Sequence, residues 1–359
     1  MEISVCMIVR NEENVLSRCL ETVKHFADEI IIVDTGSSDN TKKIAKKYTD
    51  KVFDFEWVND FSKARNFAFS KATKDYQMWL DADDVVPKSS IEKINDLKGT
   101  LDNDIDIVAM RYVLSFDQEG NASFYSTRER LFKRDKNYEW IDPVHECIPL
   151  IGNVKYTDIE IWHKKIRSEV LSTRNLDIYK ALESSDEDFS PRQLYYYARE
   201  LKDHGRLEEA IAYYERFLAS ELGWTEDVIT CCQDLAACYK SLGRKELALP
   251  VLFKSFEYDT PRAEICCELG YYYKEEGKYQ QAFKWFDLAT RLAEPASIGF
   301  VYSDYFGYIP NIEACVCLSF LSDFQKAMEY NEKASVYRPN CPSVQQNREY
   351  LKMMLSTNN

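Results

Sequence analysis

Residues 3–45 read ISVCMIVRNEENVLSRCLETVKHFADEIIIVDTGSSDNTKKIA. The run Ile3 to Val9 is apolar except for Ser4; polar Arg10-Asn11-Glu12-Glu13 follows, and then Val15, Leu16, Cys19, Leu20, Val23 and Phe26 at helical spacing. That is strand, turn and helix. Glu29 to Asp34 is a second, largely apolar strand, closed by Thr35-Gly36-Ser37-Ser38-Asp39-Asn40-Thr41, a turn that offers an N-cap to a helix carrying Ile44 and Ala45. Outward from this stretch, Val52 to Phe55 reads as strand, Phe61 to Ala72 as helix and Tyr76 to Leu80 as strand. Repeated βαβ units with near-continuous apolar strands imply a parallel sheet covered by helices on both faces.

In such sheets ligands lie beyond the carboxyl ends of the strands. Three of those ends are polar: Arg10-Asn11-Glu12 after the first strand, Asp34 after the second and Asp81-Ala82-Asp83-Asp84 after the fourth. A single Asp in such a place commonly caps a turn. Several carboxylates brought to one edge repel one another unless a cation or hydrogen-bond donors lie between them. A metal site is therefore the sharper reading, and hard oxygen ligands favour Mg²⁺ or Mn²⁺. No GxGxxG follows the first strand and no GxxxxGK[ST] occurs in the chain, so the dinucleotide and P-loop readings lose their main support.

Taken in order, Ile8-Val9-Arg10-Asn11-Glu12-Glu13, Val33 to Thr41 and Trp79-Leu80-Asp81-Ala82-Asp83-Asp84 resemble the motifs of family 2 glycosyltransferases with the GT-A fold. Asn59-Asp60-Phe61-Ser62-Lys63-Ala64-Arg65-Asn66, Arg130-Leu131-Phe132-Lys133 and Val144-His145-Glu146 narrow the resemblance to the branch of lipopolysaccharide-core glucosyltransferases and sublancin-type peptide S-glycosyltransferases. By this resemblance the main chain from Val9 to Asn11 and the Glu12 carboxylate line a nucleotide pocket, and Asp34 accepts a hydrogen bond from the base. Asp60 and Arg65 flank the base and first phosphate. Asp81 approaches the ribose and the metal, Asp83 ligates the metal directly, and His163, at the end of Ile159-Glu160-Ile161-Trp162-His163, supplies the further ligand that the family often has there. Arg128 and Arg130 are candidates for the diphosphate, since guanidinium suits phosphate geometry, with a solvated strand face as the alternative. Inverting members use a carboxylate as base; Glu146 stands first for that role, His145 second, and Asp142 shares their segment, although Asp142-Pro143 departs from the Gly-x usual in the branch.

After Ser184-Ser185-Asp186-Glu187-Asp188-Phe189-Ser190-Pro191, strand signals give way to helical periodicity. Gly205 and Ala210, Gly243 and Ala248, and Gly277 and Ala282 each stand five apart, and the units repeat after 38 and 34 residues, the second being the tetratricopeptide period. A further unit fits around Ala314, Leu318, Ala327 and Pro339. The aromatic stretch 296–308 breaks the period, and packing under the last repeat is its first explanation. The expected organisation is an α/β GT-A domain, Rossmann-like with a mainly parallel sheet, over 1–168, a connecting helix or linker over 169–190, and an all-α tetratricopeptide-like domain over 191–359. Such repeats offer a groove to peptides and also dimerise. A repeat unit beside this catalytic branch resembles the peptide S-glycosyltransferases. It implies transfer of a hexose from a UDP-sugar to a peptide or protein side chain, Cys or Ser/Thr, with a homodimer through the helices as one possible assembly. A saccharide acceptor and an inactive nucleotide-sugar-sensing scaffold are the competing readings.

The 359 residues carry 46 Lys and Arg against 60 Asp and Glu, a net charge of −14, which disfavours nucleic acid as a partner because a phosphate backbone needs a basic face. No apolar run approaches the ~20 residues that span a bilayer. The 11 Cys form no CxxC knuckle, which points to buried reduced thiols and a soluble, cytoplasmic protein without a membrane span.

Overall fold

The computed structural model describes residues 1–166, 172–185, 188–295 and 298–357. The expected boundary at 168/169 falls outside the described residues, as do residues 186–187 of the acidic stretch and 296–297 of the aromatic one. The chain divides into two compact units, Met1–Asp188 and Phe189–Asn359.

In the first unit, strands β1 (Ile3–Val9), β2 (Glu29–Asp34), β3 (Val52–Asp54) and β4 (Tyr76–Trp79) alternate with helices α1 (Leu16–Val23), α2 (Thr41–Ala45) and α3 (Phe61–Ser70). Then come β5 (Asp84–Val85), α4 (Lys88–Thr100), β6 (Ile107–Phe116), β7 (Ala122–Lys133), β8 (Val154–His163) and α5 (Arg174–Glu183). The strands lie in the order β3-β2-β1-β4-β7-β6-β8-β5. Pairings among β1 to β4 are parallel, as is β6 with β8; β7 runs antiparallel to both β4 and β6. The sheet is thus mixed and mostly parallel. Ile3, Val5, Met7 and Val9 of β1 enter one core and Cys6 the other, while Ile32 and the pair Ile31 and Val33 divide β2 in the same way. Burial on both faces is the reason these strands are apolar throughout.

Parallel pairing sets the strand ends level. Val9 stands opposite Asp34, and β4 beside β1 carries Asp81 past the same edge. The antiparallel pairing of Asp84 with His163 brings the end of β8 to the acidic loop.

The second unit is helical: α6 (Pro191–Asp203), α7 (Leu207–Ser220), α8 (Thr225–Ser241), α9 (Lys245–Lys254), α10 (Ala263–Glu275), α11 (Tyr279–Ala289), α12 (Tyr308–Phe320), α13 (Phe324–Tyr337) and α14 (Pro342–Thr357). Consecutive helices pack as pairs. Gly205, Gly243 and Gly277 lie just past α6, α8 and α10 with φ of 74°, 76° and 69°, the left-handed conformation that ends a helix at no steric cost when the residue is glycine. Five residues on, Ala210, Ala248 and Ala282 are fully buried, as is Ala327 of the last repeat, and a small side chain there lets the helices approach closely. Within 298–307, Tyr305 and Phe306 pack against the core of the last repeats, as the packing explanation has it. Among the described residues no helix is long and apolar enough to cross a membrane. All 11 cysteines are free thiols.

Candidate active site

The loops after β1 and β2 are stitched together by hydrogen bonds. The Asn11 N–H donates to Ser37 Oγ (2.9 Å), Asn11 Oδ1 accepts from the Ser38 N–H (2.9 Å) and the Glu12 N–H donates to Thr41 Oγ1 (2.7 Å). Asn11 adopts φ of 55° to do this. The Val9 carbonyl accepts from the Thr35 N–H, so it is engaged within the sheet. Asp34 Oδ1 accepts from the N–H groups of Gly36 (3.0 Å) and Ser37 (2.8 Å), a turn cap, while Oδ2 is buried with no protein partner. An orphaned carboxylate oxygen at a strand end is what a ligand donor would satisfy.

Asp60 is the N-cap of α3, accepting from the Lys63 N–H (3.0 Å) and Ser62 Oγ (2.6 Å). One turn into the same helix, the Arg65 guanidinium lies over the rings of Trp79 (4.8 Å) and Trp140 (5.0 Å), which pack edge-to-face on each other. Its Nε donates to Glu146 Oε1 (2.5 Å) and its Nη2 to Asp81 Oδ1 (2.9 Å). Burial would weaken the Arg65 charge, but Asp81 and Glu146 more than offset it and push its pKa up. Burial would likewise raise the Asp81 carboxyl, and the charges of Arg65 and Arg130 hold it below its ordinary value instead. The segment 140–146 reaches this guanidinium because Asn66 exchanges hydrogen bonds with both backbone groups of Trp140 and the Phe61 N–H donates to the Pro143 carbonyl (2.8 Å). Asp142 and His145 occupy left-handed turns with φ of 68° and 53°, and the His145 ring stacks on Tyr179 at 6.1 Å. Glu146, one of the three candidate bases, is joined to Asp81 through the Arg65 guanidinium.

His163 Nδ1 lies 3.4 Å from Asp83 Oδ1, 3.6 Å from Asp84 Oδ1 and 2.7 Å from Tyr112 Oη. Among the described residues, Asp83, Asp84 and His163 form the group suited to a metal ion, with ligand atoms within 4.8 Å of one another. Asp81, expected beside Asp83 as a ligand, instead spends one oxygen on Arg65. Burial alone would depress the His163 pKa, yet its hydrogen bonds to Asp83 and Asp84 and their charges raise it to about 9. Glu12 is raised to about 7, first by burial and then by the Asp83 and Asp81 charges. Carboxylates that crowd one another to this extent leave a place for a divalent cation, and hard carboxylate oxygens suit Mn²⁺ or Mg²⁺.

Arg130 is fully buried rather than on a solvated strand face. It lies between the rings of Trp79 (3.7 Å) and Tyr112 (4.3 Å), and its Nη1 donates to Asp84 Oδ2 (3.2 Å). Its Nε and Nη2 have no protein partner. Sequence reasoning passed over Asp84, Tyr112, Trp79 and Trp140 as site residues; the first stood in the Asp81 to Asp84 run, while Tyr112 gives no sequence signal.

Residues 4–152 match the family model described as glycosyl transferase family 2, and residues 263–295 match a tetratricopeptide repeat. A TPR repeat-containing protein of Synechococcus elongatus is 37% identical over 147 residues, 41% of this chain and 35% of that protein. The SPbeta prophage-derived glycosyltransferase SunS of Bacillus subtilis is 29% identical over 225 residues, 58% of this chain and 51% of SunS. The lipopolysaccharide core biosynthesis glycosyltransferase LpsC of Rhizobium meliloti is 29% identical over 164 residues, 43% of this chain and 59% of LpsC. The chain thus spans from about a third to three-fifths of the length of these relatives.

Proposed function

Starting from a family 2 glycosyltransferase domain over residues 4–152 and a tetratricopeptide repeat within the helical unit, we propose an inverting, metal-dependent hexosyltransferase that uses a UDP-sugar and modifies a Cys or Ser/Thr side chain of a peptide or protein. The observation that carries this reading is the meeting of the Arg65, Asp81 and Glu146 cluster with the Asp83 and His163 pair beyond β4. Asp83 and His163 would hold Mn²⁺ or Mg²⁺, which offsets the negative charge growing on a departing nucleoside diphosphate. Asp34 Oδ2 would accept from the base, with the main chain at Asn11 and the Glu12 carboxylate beside it. Asp60 shapes the start of α3 and so sets where Arg65 stands. Arg65 orients Glu146 through Oε1, and Glu146 takes the acceptor proton. A thiol acceptor, with an ordinary pKa of ~8.5, makes the lesser demand on that carboxylate. His145 and Asp142, on the left-handed turns that precede Glu146, are the runners-up for the base.

The peptide acceptor rests on the likeness to SunS together with the repeats; the likeness to LpsC supports a saccharide acceptor as the second reading. The free thiols support work in a reducing compartment such as the cytoplasm. Hydrolysis of UDP-sugars in the presence of Mn²⁺ is the direct test. It is expected in the wild-type chain and lost in Asp83→Asn, while Glu146→Gln should lose transfer and keep nucleotide-sugar binding. No turnover and no metal-dependent binding with any donor would leave a sensing scaffold.

A further inference from the structure

Arg130, Asp84, Tyr112 and His163 form a hydrogen-bonded line that runs into the metal-suited cluster, and the direction of each bond follows from what each group can donate. Asp84 is fully buried. Its Oδ2 accepts from Arg130 Nη1 (3.2 Å) and from the Asp81 N–H (3.0 Å), neither of which can act as an acceptor. Its Oδ1 faces Tyr112 Oη at 2.9 Å. A carboxylate holds no proton, so the tyrosine hydroxyl gives its one proton to Asp84. The hydroxyl oxygen is then left as an acceptor toward His163 Nδ1, 2.7 Å away, and that nitrogen must carry a proton. Asp83 Oδ1, at 3.4 Å from the same nitrogen, is the more distant partner.

We propose that Tyr112, held by Asp84 and Arg130, is a positioning residue that keeps the His163 proton on Nδ1, so that the lone pair of the neutral ring, the one that can donate to a divalent cation, is on Nε2. The assignment rests on the metal-dependent reading above and deepens it. Asp84, although close enough to His163 to join a ligand set, is already committed to Arg130, Tyr112 and the Asp81 backbone. Its part is support, and the carboxylate left for the ion is that of Asp83. The ring stack of Trp79, Arg130 and Tyr112 sets the position of the tyrosine, since Arg130 lies 3.7 Å and 4.3 Å from the two ring centres. Metal-bound imidazoles in general have the other ring nitrogen tied down in this way, and loss of such a partner costs about 10- to 100-fold in metal affinity.

The test is Tyr112→Phe in the full chain, with Mn²⁺ binding followed by the electron paramagnetic resonance of the free ion. The ring nitrogens of His163 are followed by ¹⁵N NMR without metal, at a pH high enough to neutralise the ring, and assigned by comparison with His163→Gln. The expected result is a loss of Mn²⁺ affinity of about 10- to 100-fold in a variant that still melts cooperatively without metal. The Nδ1–H tautomer should dominate in the wild type and give way to a mixture in the variant. Equal Mn²⁺ affinity in the two proteins overturns the proposal, and so does an Nε2–H tautomer in the wild type, a result that needs no variant to fold. If the wild type takes up no Mn²⁺, the metal-dependent reading fails. The tautomer measurement then decides the positioning role alone, and an unaltered Nδ1–H state in Tyr112→Phe overturns it.

Discussion

At His163 and Glu12 the raised pKa values have a direction that can be measured. A group whose pKa rises on folding contributes stability at pH below its ordinary value and loses that contribution as pH climbs through the folded value. For Glu12 the window runs from its ordinary 4.5 to about 7, and for His163 from 6.5 to about 9. The metal-free protein is therefore expected to melt at progressively lower temperature from pH 5 to pH 9, and His163→Gln should flatten the upper part of that slope. Mn²⁺ affinity should change in the opposite sense, rising over the same range because the cation replaces protons. Titration calorimetry in buffers of different ionisation enthalpy would reveal the released protons. Affinity independent of pH would remove His163 from the ligand set.

Arg65 makes a second residue-scale case. Two carboxylates and two indole rings converge on one guanidinium whose side chain is 9% exposed. Arg65→Met leaves both acids without their cation, and a loss of about 3–5 kcal/mol in urea denaturation is expected, the usual cost of breaking a buried pair from one side. The role of Arg65 as a junction was not legible beforehand, because Glu146 lies 81 positions away in the chain. The motif supplied the residue, and only the fold supplied its partners. Asp84 was overlooked for a different physical reason: adjacent acids on a tight loop look equivalent in a sequence, whereas burial against Arg130 and exposure toward a ligand edge separate them.

At the scale of elements, β1 to β4 and α1 to α3 were readable because local signals agreed: apolar runs at strand or helical spacing, separated by polar turns. The antiparallel β7 between β4 and β6 was not, since nothing local records a pairing partner and β6 shifts register between Val108 and Ala109 and again near Ser115. In the helical unit the Gly and Ala markers located the turns. They also explain where the rule is broken, since Ser322 stands five before the buried Ala327 and takes φ of 61°, where the other repeats place glycine. A residue with a Cβ in that conformation costs about 1–2 kcal/mol, partly returned by the greater freedom that glycine has in the unfolded chain. Ser322→Gly is thus expected to stabilise the protein by about 0.5–1 kcal/mol, and Gly243→Ala to destabilise it by about 1 kcal/mol, both read by urea denaturation. A neutral Gly243→Ala would mean that this turn relaxes out of the left-handed region.

For the whole molecule, the division of labour follows from where the chemistry sits. Every residue proposed for nucleotide, metal or proton transfer lies between Val9 and His163, inside the unit Met1–Asp188, and that unit encloses its own cores on the two faces of its sheet. The unit Phe189–Asn359 has a separate core built by its helix pairs. A chain ending at Asp188 is therefore expected to fold, to bind Mn²⁺ and UDP with the dissociation constants of the full chain, and to hydrolyse UDP-sugars. The complementary chain from Phe189 should give a helical circular dichroism spectrum and a cooperative melt without ligand. What the shorter chain should lose is selection of the acceptor, if the helical unit serves that end. The comparison is informative in either direction. Transfer to a peptide acceptor that survives removal of Phe189–Asn359 would assign acceptor recognition to the sheet unit itself, near the Glu146 turn. Loss of transfer with intact UDP-sugar hydrolysis would assign it to the repeats.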